Sequence, residues 1–529
     1  MAKVLISDKL SDKAEEIFKK NNINVTINTS LSPEELTKTI NDYDGLAIRS
    51  NTKVTKEILK NASNLKVIGR AGIGVDNVDI EAATANGTIV MNTPYGNSIT
   101  TAEHTIALMM SLARNIPNAN TSTHLGKWEK SKYTGTELYS KILGMIGCGN
   151  IGSIVADRAR GLKMHVKVYD PYLTEERARE IAVEKVDLDE LLKISDFITL
   201  HVPLTKTTKE IINSSSIKKM KDGVKIINCA RGGLVNEKDL AKALESGKVS
   251  GAAFDVFTEE PAKNNVLFGL ENMVVTPHLG ASTEEAQENV AIQVAEQMSN
   301  YLSNGAITNA LNIPSISAED APKLKPYIKL CEQIGKLAGQ ITETSIKNIK
   351  IEFGGQVALL NTKPLISVLV AGLLSHSMEA VNVVNAPVIA KNRNMNITSS
   401  IREKAGDYIT DISLTVETER RTRNVIGTLY GNQPRIVEVM NTRIEAELGP
   451  NMLFITNEDK PGFIGSLGSI LADAKINIAT FHLGRTKVGG DAIALIEIDE
   501  AVSKELIETL NNIPQVKSVK PLNFAKNII

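Results

Sequence analysis

Short apolar runs alternate with helically spaced ones through the first half of the chain. Val4–Ser7, Val25–Ile27, Gly45–Ile48, Val67–Gly69 and Ile89–Met91 read as strands, and Ser11–Asn21, Pro33–Ile40, Val54–Asn61 and Ile80–Asn86 read as the helices between them. Strands without polar alternation are buried on both faces, and strand–helix alternation predicts a parallel, doubly wound sheet. Thr93-Pro94-Tyr95-Gly96 interrupts the pattern. A longer helix is expected from Ser98 to about Arg114, with Thr101 and Glu103 near its start, as the crossover into a second unit. Strand–helix units then continue to about Thr283, and the amphipathic stretch Ile292–Leu302 is predicted to return to the first unit. The expected organisation is a first domain built from 1–97 and 287–312 around a second at 98–286.

The pattern changes beyond that point. Ile313–Pro322, rich in Pro, Ser and acids, reads as a linker. Residues 313–450 mix expected helices (Tyr327–Gln340, Pro364–Val370, Met378–Val384) with expected strands (Ile346–Phe353, Tyr408–Val416, Asn424–Leu429), an α+β arrangement without a catalytic constellation. After Leu448-Gly449-Pro450, residues 451–529 follow the order βαββαβ, which is the ferredoxin-like topology.

The most informative segment is Lys141–Tyr172. An apolar strand, Ile142–Ile146, runs into Gly147-Cys148-Gly149-Asn150-Ile151-Gly152, a helix follows, and a second strand, Met164–Tyr169, ends at Asp170. Strand, glycine turn, helix, strand and terminal acid form a dinucleotide-binding unit. Gly147 permits the tight turn, Gly149 lets backbone approach a pyrophosphate, and Gly152 allows close helix packing. The helix N-terminus offers free N–H groups to phosphate. Asp170 suits two ribose hydroxyls and repels a 2′-phosphate, which predicts NAD in preference to NADP.

Composition narrows the partners. The 529-residue chain has a formal net charge of −1, giving no electrostatic case for nucleic acid or an anionic membrane. Cys148, Cys229 and Cys331 have no metal-ligand spacing and read as reduced thiols, so no metal is expected. The N-terminal stretch has no apolar segment of signal-peptide length, and Pro364–Leu374 is too short to span a bilayer. A cytoplasmic protein is expected.

Three polar residues follow strand ends, where a doubly wound sheet opens its ligand crevice. Arg231 follows Ile226–Ala230, Glu260 follows Gly251–Val256, and His278 follows Val274–Thr276. A histidine can take a hydroxyl proton near neutrality, a neighbouring carboxylate orients it and raises its pKa, and an arginine fork grips a substrate carboxylate. Each alone reads equally well as a surface residue; together they describe a site for hydride transfer from a hydroxy acid.

With IRSNTKVT (Ile48–Thr55), GRAGIGVDNVD (Gly69–Asp79), NTPYGNS (Asn92–Ser98), TAEHTIALM (Thr101–Met109), HVPLT (His201–Thr205), NCARGG, FDVFTEEP and TPHLGAST (Thr276–Thr283), the chain resembles the D-isomer-specific 2-hydroxyacid dehydrogenase family. Over its full length it resembles the family's long, phosphoglycerate-oxidising branch. The resemblance implies catalytic roles for Arg231, Glu260 and His278. It implies NAD contacts at Ile73, Gly147, Gly149, Asn150, Ile151, Gly152, Asp170, Val202, Cys229, Ala230, Arg231, Asp255 and His278–Ala281 (His278, Leu279, Gly280, Ala281). Asp255 would accept from the nicotinamide carboxamide. The substrate carboxylate would lie on the backbone of Gly72, Gly74 and Val75, and a phosphate near Arg49, Ser50, Asn51 and Arg70. Trp128–Lys132 resembles a segment that carries basic groups toward a neighbouring subunit. Asn150 stands where many relatives carry arginine, and Ile73 where threonine is usual, so a charged and a hydroxyl contact are absent there.

The C-terminal half resembles an intervening domain followed by an ACT domain. That implies L-serine as effector, with Asp459 and Asn477 as polar contacts, or else a purely structural pairing module. The implied reaction is oxidation of 3-phosphoglycerate to 3-phosphooxypyruvate by a homodimer or homotetramer. Reduction of 2-oxoglutarate, glycerate or lactate chemistry, and a non-enzymatic NAD-sensing corepressor, are the alternatives. Replacing Asp170 with alanine should weaken NAD and narrow its lead over NADP in kcat/KM, since nothing then repels the 2′-phosphate; a native chain that uses NADP as well as NAD would refute the cofactor reading.

Overall fold

A computed structural model describes residues 1–378 and 380–524, arranged around four sheets. The first has five parallel strands, Lys3–Ile6, Asn24–Ile27, Gly45–Ile48, Val67–Arg70 and Ile89–Asn92, in the spatial order 2-1-3-4-5. The helix Glu284–Asn304 returns to close one face of this sheet. It starts well before the amphipathic stretch read from sequence, because Thr283 caps it by accepting from the Ala286 N–H at 3.2 Å and acids fill its first turn. Its Met298 lies so close to the sheet that a Cβ on Gly69 would come within 2.3 Å of Sδ.

The second sheet has seven parallel strands in the order 3-2-1-4-5-6-7, counted from Ile142–Ile146. Strand order reverses between Ile142–Ile146 and Phe197–Leu200, and the crevice that binds ligands in such sheets opens at that reversal. The helix Ser98–Ala113 packs against this unit.

The third sheet has six strands, antiparallel except where Ile346–Gly355 runs parallel to Asn396–Arg402. Three of them, Asn396–Arg402, Gln433–Val439 and Thr442–Ala446, are absent from the sequence reading. Asn396–Arg402 is an edge strand with mostly exposed, polar side chains, so no apolar alternation marks it. The stretch read as a linker is tied down by paired bonds between Ile307 and Ile316, and a 22-residue helix, Asp320–Ile341, begins inside it. The helix expected over Met378–Val384 does not form among the described residues; Glu379 lies outside them. Asn382 Oδ1 accepts from the backbone of Val384 and Asn385, and Asn385 Oδ1 from that of Asn382, so side chains satisfy the turn in place of a helix. The helix begins instead at Ala386. Asn385 Nδ2 also donates to Ala85 O at 3.1 Å, at the end of the first domain's helix Ile80–Asn86.

The last sheet is fully antiparallel, with strands Asn451–Glu458, Ile478–Arg485, Asp491–Ile498 and Val516–Asn523 in the order 2-3-1-4 and helices Phe463–Asp473 and Lys504–Asn511 between them. This is the ferredoxin-like βαββαβ arrangement. Residues 525–529, the end of the expected 451–529 range, lie outside the description. No helix of the described residues is long and apolar enough to cross a membrane.

One continuous apolar cluster runs from Val4 and Phe18 through Met298, Leu330 and Ile334 to Met452 and Leu495. The seven-stranded unit has clusters of its own. Within the continuous cluster, Asp320–Ile341 crosses Lys363–Ser375 at close range. A Cβ on Gly335 would meet Leu369 O at 2.5 Å, one on Gly339 would meet Leu373 O at 2.4 Å, and Gly372 fills the facing position. Backbone cannot give way as a flexible side chain can. Gly339→Ala should therefore lower stability by about 1–3 kcal/mol despite alanine's better helix propensity, read as a lower urea midpoint for the transition that includes these helices.

Candidate active site

The three glycines of the 147–152 turn differ in what surrounds them. Gly147 has φ +92°, and a Cβ there would strike Val202 and the carbonyl of His201. At Gly152 a Cβ would lie 2.6 Å from Gly147 O, so helix and strand meet there. At Gly149 it would meet nothing within 4 Å; that side of the turn faces open space. Gly149 is also the N-cap of the helix Asn150–Gly161 and supplies no capping side chain, which leaves the first-turn N–H groups for an anion. Asp170 stands beside the turn, accepting from Cys148 N and Tyr172 N at 2.8 Å each, one on either oxygen. Each oxygen keeps a lone pair for a ribose hydroxyl. Asn150 Nδ2 reaches Pro94 O at 3.4 Å. Cys229 is buried, with its thiol pushed up to about 12 by burial, and it stays protonated. These features fit a bound dinucleotide.

Three and four strands farther across the sheet, past the ends of Val249–Phe254 and Met273–Val275, Glu260 and His278 converge. His278 Nδ1 and Glu260 Oε2 are 2.6 Å apart, and Glu260 Oε1 accepts from Phe257 N at 3.0 Å. The carboxylate can only accept, so Nδ1 carries the hydrogen, and in the neutral ring Nε2 keeps its lone pair. The bond to Glu260 raises the histidine pKa, against the opposing effect of burial. On Glu260 burial acts upward, but the bonds from His278 and Phe257 prevail and hold it below the ordinary carboxylate range. His278 has φ +58° on the turn Thr276–Gly280. That turn folds around Asp255, which is 0% exposed and accepts from Thr276 Oγ1 at 2.6 Å, Leu279 N at 2.7 Å and Gly280 N at 2.8 Å.

A cavity of about 670 Å³ joins these groups to the first domain. His278, Glu260 and Ala281 line one wall; Arg49, Ser50, Asn51, Arg70 and Gly72 line the other. Arg70 is half-buried and its pKa falls to about 10, through desolvation first and then repulsion from Arg231 and Arg49. Its buried Nε has no hydrogen-bond partner among the described residues, and its Nη1 lies over Gly72. Arg231 reaches across the cleft to Asp76 (Nε–Oδ2 3.1 Å), and its Nη2 lies against Gly74. The backbone of Ile73 and Val75 is held by Asn92 Nδ2 and Val78 N. Trp128 is 88% exposed, beside Lys130–Tyr133.

In the last domain, Asp459 pairs with Arg485 at 2.8 Å and accepts from Gly489 N at 3.0 Å, while Asn477 Nδ2 donates to Asp499 at 2.9 Å. Both expected effector contacts thus have protein partners. Sequence reasoning missed the residues that hold the site's loops. Buried Asp8 accepts from Arg49 N, Thr52 N and Thr52 Oγ1, and Asn77 Nδ2 donates to Arg49 O and Thr52 O. Asp76 and His104 were missed too. Asp76, Asn77 and His104 lie inside quoted motifs, but nothing local in the sequence announces which loop each would hold.

Residues 106–280 match the NAD-binding domain of D-isomer specific 2-hydroxyacid dehydrogenases, 323–440 the D-3-phosphoglycerate dehydrogenase intervening domain, and 451–515 the ACT domain. The chain is 43% identical to the D-3-phosphoglycerate dehydrogenase of Methanocaldococcus jannaschii, over 99% of this chain and 100% of that one. It is 40% identical to that of Bacillus subtilis over 99% and 100%, and 37% identical to that of Homo sapiens over 91% and 92%. Among solved structures it resembles apo D-lactate dehydrogenase from Escherichia coli (30% identity, TM-score 0.53) and a glyoxylate reductase from Paecilomyes thermophila (28%, TM-score 0.55). Each of these covers 59% of this chain, against 100% and 98% of the respective structures.

Glu260→Gln removes the carboxylate that raises the His278 pKa. A base must be deprotonated to act, so the acidic limb of the pH–rate profile should move to lower pH while the plateau falls; an unmoved limb would uncouple the two residues.

Proposed function

Because the chain belongs to the D-3-phosphoglycerate dehydrogenase family, we propose a division of labour among its residues for that family's reaction. The activity is NAD-dependent oxidation of 3-phospho-D-glycerate to 3-phosphooxypyruvate, the first step of L-serine biosynthesis. The observation that carries the residue roles is the 2.6 Å contact between His278 and Glu260 at the edge of an arginine-walled cavity.

His278 Nε2 takes the proton of the substrate C2 hydroxyl, and Glu260 keeps the ring in the correct tautomer and favours the imidazolium that results. Arg231 grips the carboxylate and polarises the developing carbonyl oxygen; its reach across the cleft supports this. Backbone N–H groups of Gly72–Val75 hold the same carboxylate. Arg49, Ser50, Asn51 and Arg70 take the phosphate, and the unpartnered Nε of Arg70 is a donor in want of an anion. Bound on the 147–152 turn, NAD supplies the hydride acceptor. The turn's N–H groups face its pyrophosphate, Asp170 its ribose, and Val202, Cys229, Ala230 and the His278–Ala281 turn flank its nicotinamide half. Asp255, expected to accept from the nicotinamide carboxamide, is 0% exposed with both oxygens already engaged by the turn, so it acts there through the turn that it holds.

The first domain is taken as 1–97 with 287–312, the NAD-binding domain as 98–286, the intervening domain as 313–450 and the ACT domain as 451–529. The assembly is a homodimer or homotetramer, paired through the helix starting at Ser98, which leaves Ile99 58% exposed. L-Serine binds near the start of the helix Phe463–Asp473, with Asp459 and Asn477 adding polar contacts. The protein works in the cytoplasm.

His278→Ala should reduce kcat with 3-phosphoglycerate by roughly two to four orders of magnitude while NADH binding holds; near-normal turnover would overturn the assignment of the base. Activity titrated with L-serine, and D-serine as control, should fall only with the L isomer. A response that survives Asn477→Ala would remove this effector site.

A further inference from the structure

The helix Ser98–Ala113 crosses behind the catalytic turn and touches it twice. Thr101 Oγ1 donates to Gly280 O at 2.9 Å. His104 Nε2 lies 3.2 Å from Thr276 Oγ1 and 3.3 Å from Asp255 Oδ1. Asp255 can only accept, and Thr276 already gives its hydroxyl proton to Asp255. Both neighbours therefore present lone pairs to Nε2, so that nitrogen must carry a hydrogen.

The turn needs such support. A non-glycine residue at φ +58° persists only where its surroundings over-determine it. The His278 N–H ends on Asp255 O at 2.9 Å, and the next two backbone N–H groups end on the Asp255 carboxylate. A rotation of that carboxylate would release Leu279 and Gly280 together and swing His278 away from Glu260. Thr276 and the two backbone donors all belong to the turn itself, so they cannot fix the carboxylate against it. His104 comes from another element and can. Its side chain is 19% exposed, so water competes little for the bond.

We propose that His104 is a positioning residue: its Nε2–H locks the Asp255 carboxylate and thereby holds the catalytic turn so that His278 stays on Glu260 and faces the cleft. The proposal rests on His278 being the proton acceptor.

Two variants separate hydrogen bonding from packing. The Gln amide nitrogen of His104→Gln can reach the Nε2 position, whereas that of His104→Asn stops near Nδ1. His104→Asn should lower kcat with 3-phosphoglycerate by about 10- to 100-fold, the scale of a small misplacement of reacting groups. It should also raise the isotope effect from substrate deuterated at C2, since proton and hydride transfer become slower than release steps. Its NADH affinity should stay within about twofold, and His104→Gln within about threefold of the native kcat. A merely less stable enzyme would lose active fraction without a change in isotope effect. Native kcat and isotope effect in His104→Asn would overturn the proposal, as would equal losses in both variants. If His104→Asn does not fold, His104→Leu carries the same comparison against His104→Gln: leucine fills the space but has no N–H for Asp255, so it must show the loss and the raised isotope effect, and Gln must not. His278→Ala serves as control, because native turnover there would fault the base assignment and leave the His104 comparison to be read on its own isotope effects.

Discussion

A carboxylate with no access to water is the constraint on which the catalytic half depends. An unpaired charge in that position would cost several kcal/mol, so Asp255 must collect hydrogen-bond donors. It draws them from the turn after the strand Met273–Val275 and from the helix Ser98–Ala113, while its own strand supplies the carboxylate. Burial works to raise its pKa, yet these bonds more than compensate and hold it below the ordinary range. A single buried negative charge thus brings three elements into register, and the His278–Glu260 contact lies at their junction.

The opposite wall of the cleft presents the reverse problem. Arg49 and Arg231 both repel Arg70, which is itself half-buried. Asp8 and Asp76 relieve the repulsion only in part: Asp8 is committed to loop backbone, and Asp76 is largely exposed. The remaining positive potential favours a ligand with negative charge at two ends, which matches a phosphorylated acid better than a simple hydroxy acid. The same arrangement gives the cleft its polarity, with the His278–Glu260 pair on one wall and guanidinium groups on the other.

Much of this was legible from residues alone where a local pattern has one physical solution. The glycine turn, the acid ending the next strand and the βαββαβ tail each follow from spacing, and the structure has them where the spacing put them. The strand-end position of Arg231, Glu260 and His278 was readable for the same reason, since parallel sheets gather such ends. What escaped depends on distant partners. Asn396–Arg402 forms a strand because Ile346–Gly355 offers it an edge, not because of its own polar sequence. Asn382 and Asn385 look compatible with helix until their side chains are seen to satisfy the turn. Asp8, Asn77 and His104 hold loops far away in sequence, and no window of neighbouring residues contains that relation.

The continuous apolar cluster has a mechanical meaning. The first domain, the intervening domain and one face of the ACT domain are packed through it, and Asn385 adds a polar tie to the helix Ile80–Asn86. The seven-stranded unit has its own cores and joins the first domain mainly across the cleft and through the two crossover segments. The cleft therefore divides the molecule unequally: the whole C-terminal half is packed behind its arginine-lined wall, and only the seven-stranded unit stands behind the wall that carries His278.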